Sequence, residues 1–428
     1  MVLWQELTDR RDRLMEMVGS GAIIFASAPI VPHHKDVEHN YRQDSELYYF
    51  TGFPEPETVA VIVPRHEEHR FILFVRPKDP ERETWSGRRI GVEDAKTIYG
   101  ADATYPIGEL DQHLPKYLEK ADVIYYHFGH NENINQKVLE HYRRLVSSYS
   151  KRGTGPVAIH DSSFITTPLR QIKSGYELTQ MTKAMAISAH AHAHVRSIAR
   201  PGMYEYELQA LLEADFRKSG AMGFAYPSIV ASGANSCILH YVENNRQIQP
   251  GDLVLIDAGC CFNYYNADIT RTFPVDGTFT PEQQAIYDIV QTAQTNAIAA
   301  VKPQNTINDV HQAALETIVA GLLDLGLLQG DPAEIIETEA YKPFFMHRTS
   351  HWLGLDVHDS GFYKTKGEWT TLQPHMVITV EPGIYISPDL KPQENQPEVP
   401  DRWKGIGIRI EDDVLVTNTG KQILTGLT

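Results

Sequence analysis

Cysteine is scarce in this chain: Cys237, Cys260 and Cys261 are the whole complement of 428 residues. An odd count with two adjacent members argues against a disulfide framework and for a reducing compartment. Long apolar runs are lacking as well. The longest, near residues 21–31, is too short and too broken to span a bilayer, so no membrane partner is expected. The N-terminal stretch MVLWQELTDRRDRLMEMV carries charge throughout and has no apolar signal-peptide core, which gives a cytoplasmic expectation. No basic block offsets the net charge of −16, so nucleic acid is excluded as a main partner.

What is present has the composition of an ordinary globular protein, and at about 150 residues per domain the length allows two or three domains. Residues 1–172 read as an α/β domain with a mixed sheet. A helix is expected near residues 5–17 and apolar strands at 22–25, 59–63, 71–75 and 123–126. Between the first two strands lies YRQDSELYYFTGF, polar and then aromatic. A charged loop at 77–89 carries a lone Trp85, which reads as incidental packing or, alternatively, as a side chain reaching a neighbouring site or subunit. Near residue 172 the pattern changes. Ser174 and Glu177 have capping-box spacing and should open a long helix ending before Pro201, followed by a second helix at 204–218. Residues 173–428 are therefore read as a second domain.

That second domain is organised around IQPGDLVLIDAG, residues 248–259, a turn and a buried strand tipped by Asp257. The stretch LQPHMVITVEPG, residues 372–383, aligns on it without gaps and places Glu381 on Asp257. Helix pairs precede both; the second pair starts at the Thr280-Pro281 cap and near Thr306. An internal duplication with facing acids follows. A further acid, Asp268, comes after a hairpin turn, and Glu411 lies on an expected strand at 405–413 with Arg409 on the same face. His190 and His194 are four apart on the first long helix, a metal-compatible spacing, but no acid is placed beside them.

Four carboxylates gathered without cations would repel; two unit charges about 4 Å apart cost roughly 4 kcal/mol at an effective dielectric near 20. Two divalent ions would neutralise them. Oxygen-rich ligation with one histidine suits Mn²⁺, with Co²⁺, Fe²⁺ and Zn²⁺ as alternatives. Two ions about 3.5–4 Å apart can share a water and lower its pKa towards 7.

The ordered set Asp257, Asp268, His351, Glu381 and Glu411 resembles the dinuclear metallopeptidases of the pita-bread fold. The segments YRQDSELYYFTGF, GANSCILHY, SHWLGLDVHD, VEPGIY and GIGIRIEDD are most similar to aminopeptidase P, over nearly the whole chain. The resemblance implies an α/β N-terminal domain and an α+β pita-bread catalytic domain with pseudo-twofold duplication. It implies that the five residues bind two metal ions, with Glu381 also serving as base. It makes His240, His347 and His358 catalytic histidines and Arg409 a substrate-orienting group. Tyr226, Tyr385 and Trp85 become substrate-binding positions. It further implies peptide substrates beginning Xaa-Pro and a homo-oligomer, dimer or tetramer. Prolidase is the alternative within the fold, and a pita-bread binding module without catalysis the alternative outside enzymes. One departure stands out: Arg348-Thr349 follows His347, where many relatives have a glycine and a small residue.

Overall fold

Helix α1 (Val2–Val18) stops at Gly19, whose φ of 59° is left-handed backbone that glycine adopts without cost. The chain then enters strand β1 (Ala22–Ala26). The computed structural model describes residues 2–426 other than 130 and 392. It divides into two units, Met1–Leu169 and Arg170–Thr428.

In the first unit, helix α2 (Ser45–Thr51) precedes strands β2 (Val59–Ile62) and β3 (Phe71–Val75). Helix α3 (Pro80–Ser86) and strands β4 (Ala103–Pro106), β5 (Val123–Tyr125) and β6 (Ala158–His160) follow. The six strands form one sheet in the order β4-β3-β2-β1-β5-β6. β2 runs antiparallel to β1 and β3; the remaining pairings are parallel. Every residue of β2 and β3 is buried, as the unbroken apolar runs require when both faces are covered. Two stretches depart from expectation. Within residues 41–53 lies α2, capped by the Asp44 carboxylate on Leu47 N and closed by Gly52 at φ 67°. Within the charged loop lies α3, capped by Asp79 with Pro80 at its first position. Both helices are seven residues long, too short for a 3.6-residue period to register, so only their caps announced them.

The second unit opens with α4 (Gly175–Ile198), closed at its start by the Ser174–Glu177 capping box, and α5 (Glu205–Lys218). Strands β7 (Ile229–Ser232) and β8 (Leu253–Asp257) pair antiparallel. The hairpin β9 (Cys260–Phe262) and β10 (Tyr265–Asn266) turns through Asn263 and Tyr264, both at positive φ, the backbone that a two-residue hairpin demands. β11 (Thr270–Pro274) then returns antiparallel along β8 with Thr270 opposite Asp257. The hairpin is therefore what carries Asp268 back beside Asp257.

The motif recurs. Helices α6 (Pro281–Ala300) and α7 (Ile307–Asp324) lead to β12 (Val377–Val380), β13 (Gly383–Ile386), β14 (Ile406–Arg409) and β15 (Asp412–Val416). β15 returns antiparallel along β12 as β11 does along β8. The two halves meet where Thr270 bridges Glu411. The expected single strand at 405–413 is broken at Ile410-Glu411. β14 pairs with β13 and β15 with β12, and the break is what swings Glu411 towards the first half. Apolar side chains of α6 and α7 (Ile286, Val290, Val310, Ile318) share one buried core with Ile378, Val380, Ile384 and Ile408. Each such side chain contributes about 1.5–3 kcal/mol by leaving water, so the acid-tipped strand ends rest on a rigid support.

Two aligned glycines explain the tight ends of the repeated motif. A Cβ on Gly259 would lie 1.7 Å from the Ala267 carbonyl oxygen. One on Gly383 would lie 2.5 Å from the Tyr385 hydroxyl and 2.9 Å from the Ile408 carbonyl oxygen. In each half, a glycine two residues past the acid lets the neighbouring segment close up against it.

Candidate metal centre

Side-chain donors of Asp268, His351 and Glu411 lie within 4.8 Å of one another, the one such group among the described residues. Asp257 joins them through Tyr226, whose hydroxyl donates to Asp257 Oδ1 at 2.6 Å and also contacts Asp268 Oδ1. Glu381 joins through His351, whose Nε2 lies 3.5 Å from Glu381 Oε1 and 3.3 Å from Asp268 Oδ2. All five expected ligands thus meet where the two halves of the second unit face each other. His351 Nδ1 is 3.0 Å from the Trp352 carbonyl oxygen. That contact keeps a proton on Nδ1, so Nε2, turned to the acids, is the nitrogen that would take a cation on giving up its own proton.

Electrostatics test whether these residues suit cations. Four carboxylates converge, and Arg409 is the one arginine among them: its Nη2 donates to Asp257 Oδ2 at 2.6 Å. In the protein alone, burial pushes the carboxyls of Asp257 and Glu411 upward, and neighbouring acids, Asp268 prominent among them, add to the push. Burial likewise drives Glu381 up to about 7, with Asp268 and Asp257 adding repulsion. His351 rises to about 9 because Asp268 and Glu381 outweigh its burial. A further acid, Asp413, accepts from the Asp268 amide at 3.0 Å while its Oδ1 is buried with no hydrogen-bond partner. So much negative charge against one guanidinium is the donor set of a site for divalent cations, whose charge inverts this pattern.

A cavity of about 450 Å³ opens over this floor. Its walls include His240, His347, His358, Arg409, Arg348 and Tyr363. Arg409 Nη1 donates to the Tyr385 hydroxyl at 2.9 Å, and that hydroxyl is 2.8 Å from His347 Nε2. His347 Nδ1 in turn is 2.8 Å from the Arg348 carbonyl oxygen. This chain fixes the His347 tautomer: Nδ1 carries the proton and Nε2 accepts from Tyr385. Burial, with Arg409 nearby, holds His347 down at about 4, so the ring is neutral. The rings of His358 and His351 meet edge to face at 4.5 Å.

Of the residues singled out in the sequence, Tyr226, Tyr385 and Arg409 are bonded to the acids or to each other. Trp85 belongs to the first unit, where it is 89% exposed on α3. His190 and His194 gather no ligand group. His194 instead pairs with Asp215 of α5 at 2.5 Å, a partner acid that sequence spacing did not reveal. The histidine that matters on α4 is His192, passed over between those two. It is buried, held down at about 4, and its Nε2 lies 2.8 Å from the carbonyl oxygen of Ala258, the residue after Asp257. Also unread were Thr270, which donates to Glu411 Oε2 at 2.7 Å, and Asp413 behind Asp268. The DITR and IEDD stretches contained both, but nothing in their spacing separates a supporting group from a ligand.

Comparison with known proteins agrees with the geometry. The model of metallopeptidase family M24 matches residues 179–418, and that of the aminopeptidase P N-terminal domain matches residues 7–125. The Xaa-Pro aminopeptidase of Escherichia coli is 42% identical over 98% of this chain and 94% of its own length. The structure of the Pseudomonas aeruginosa aminopeptidase PepP superposes with a TM-score of 0.93 at 46% identity, over 99% of this chain and 94% of that one. Zn-substituted E. coli aminopeptidase P in complex with product gives 0.93 at 41% identity, covering 99% and 95%. The chain belongs to metallopeptidase family M24 and is a peptide hydrolase of the aminopeptidase P type.

Proposed function

We propose that this protein is a Xaa-Pro aminopeptidase that uses two divalent metal ions, Mn²⁺ foremost, held by Asp257, Asp268, His351, Glu381 and Glu411. One observation carries the reading: Asp257, His351 and Glu381 line a cavity walled by His240, His347 and His358, and His351 gathers there with Asp268 and Glu411. Bound there, the ions would supply a water of lowered pKa and Lewis acidity towards the peptide carbonyl. The protein's own groups do the rest. Glu381, at the cavity floor, takes the proton from the attacking water. His358 steadies the carbonyl oxygen as charge develops on it, and His240 serves the leaving proline nitrogen. The Arg409–Tyr385–His347 chain keeps one wall fixed, so the substrate meets an oriented imidazole and not a mobile one.

Proline selectivity follows from the leaving group. A Xaa-Pro bond has a tertiary amide nitrogen inside a fixed ring, so it needs a shaped slot and a proton delivered to that nitrogen. A histidine-walled cavity supplies both. The domain assignment is residues 1–172 as the aminopeptidase P-type N-terminal domain and 173–428 as the catalytic domain, in a cytoplasmic dimer or tetramer. Among the described residues, no helix is long and apolar enough to cross a membrane.

The reading is tested by comparing Ala-Pro-Ala, Ala-Ala-Ala and Ala-Pro as substrates of the Mn²⁺-loaded protein. Ala-Pro-Ala should give the highest kcat/KM. A tenfold preference for Ala-Pro, about 1.4 kcal/mol in transition-state binding, would make the protein a dipeptidase.

A further inference from the structure

Two arginines line the catalytic cavity, and they differ in what they hold. Arg409 is committed to Asp257, Tyr385 and Thr270. Arg348 has no acid within ion-pair distance among the described residues, and its one hydrogen bond runs from Nη2 to Asn308 Oδ1 at 2.9 Å. It is not a loose surface side chain. Its guanidinium carbon lies 5.2 Å from the centre of the Trp369 ring, so a hydrogen bond and an aromatic face both fix it. The same indole carries a second cation, Lys364, whose Nζ is 4.4 Å from the ring centre and which has no acid partner among the described residues. Two like charges brought to one ring, unneutralised, in a protein of net charge −16, make a prepared site for an anion.

From this arrangement we infer that Arg348, backed by Lys364, binds the free α-carboxylate of the third residue of a short substrate, so that Xaa-Pro-Yaa tripeptides are preferred. The inference rests on the Xaa-Pro aminopeptidase reading above. Planar carboxylate matches the guanidinium fork, and the remaining N–H donors of Arg348 are available for it. The position suits the third residue more than the proline. The Arg348 guanidinium is held at Asn308 and over the Trp369 ring, beyond ion-pair distance of every floor acid among the described residues, whereas Arg409 is bonded to Asp257 itself. A proline bonded at the floor therefore has Arg409 as its nearer cation, and the residue after it is the one to extend towards Arg348. Holding the arginine in place beforehand lowers the ordering cost of binding.

The test pairs each acid with its amide: Ala-Pro-Ala against Ala-Pro-Ala-amide, and Ala-Pro against Ala-Pro-amide. For the tripeptide pair the acid should be favoured about tenfold or more in kcat/KM, mostly through KM, as for a charge-assisted bond worth at least 1.4 kcal/mol. That ratio should fall to within about twofold in Arg348→Gln, recover in part in Arg348→Lys, and shrink as salt is raised. Calorimetry with the product Pro-Ala and its amide should show the same loss of discrimination in Arg348→Gln, independent of turnover. Equal rates for acid and amide with wild-type protein would overturn the inference while leaving the aminopeptidase reading intact. So would a ratio unchanged in Arg348→Gln. A preference confined to the dipeptide pair would overturn the placement at the third residue. If no Xaa-Pro substrate were cleaved at all, the underlying functional reading would be the one to fall.

Discussion

At the scale of single residues, two cavity histidines stand apart from the gathered acids. His240 and His358 line the cavity but take no part in the gathered ligand group of Asp268, His351 and Glu411. His240→Ala and His358→Ala should therefore retain metal, measured by elemental analysis, while turnover of Ala-Pro-Ala falls by about two to four orders of magnitude. That is the usual cost of losing a positioned proton or oxyanion donor. Near wild-type turnover in either variant would remove that histidine from the mechanism. The ligands were legible in the sequence because Asp257 and Glu381 tip two aligned apolar strands and the ordered set of five resembles that of a known family. Their supports were not. His192 reaches Ala258 across 66 residues, and Asp413 reaches Asp268 across 145. Contacts of that range leave no local pattern.

At the scale of elements, the segment that carries His358 is tied down by a buried ion cluster. Asp359 accepts from Lys173 Nζ at 2.7 Å and from Arg170, which also donates to Asp356 at 2.8 Å. Burial opposes the Asp359 charge, but Arg170 and Lys173 prevail and hold its pKa below the usual value. A depressed folded-state pKa means that this contribution is present above the unfolded-state pKa, about 3.9, and is lost as pH falls through the folded value. Asp359→Asn leaves buried Lys173 without its acid and Arg170 with Asp356 in place of two carboxylates, and should cost about 3–5 kcal/mol at neutral pH. Thermal melts should show the gap between wild type and variant closing as pH drops below the carboxylate range. A gap that stays constant to pH 3 would show that the cluster contributes no ionic stabilisation.

Legibility varied at this scale for physical reasons. The long helices α4 and α6 were readable from capping boxes and from where their apolar faces end. The seven-residue helices α2 and α3 offered two turns only. The break at Ile410-Glu411 was hidden because alternation continues through it: Ile406, Ile408 and Ile410 look like one strand face, yet the residues on either side pair with different partners. The change of partner is decided by the facing half of the domain, through the Thr270–Glu411 bridge, and not by the local pattern.

Across the molecule, the second unit is a duplicated scaffold that brings two acid-tipped halves face to face, and its charge accounts for its need of metal. Buried carboxylates that repel one another are tolerated when cations share their charge. Chelation should therefore lower the melting temperature of the second unit as well as abolish activity, because ions that bind only the folded state stabilise it. The most direct measurement of the central claim is a titration of Mn²⁺ into chelator-treated protein, following bound metal per chain together with release of alanine from Ala-Pro-Ala. The account predicts no release without metal and a rate that rises with occupancy to a plateau at two ions per chain. Full hydrolysis by protein shown to hold no metal, or saturation of Mn²⁺ with no hydrolysis, would contradict it.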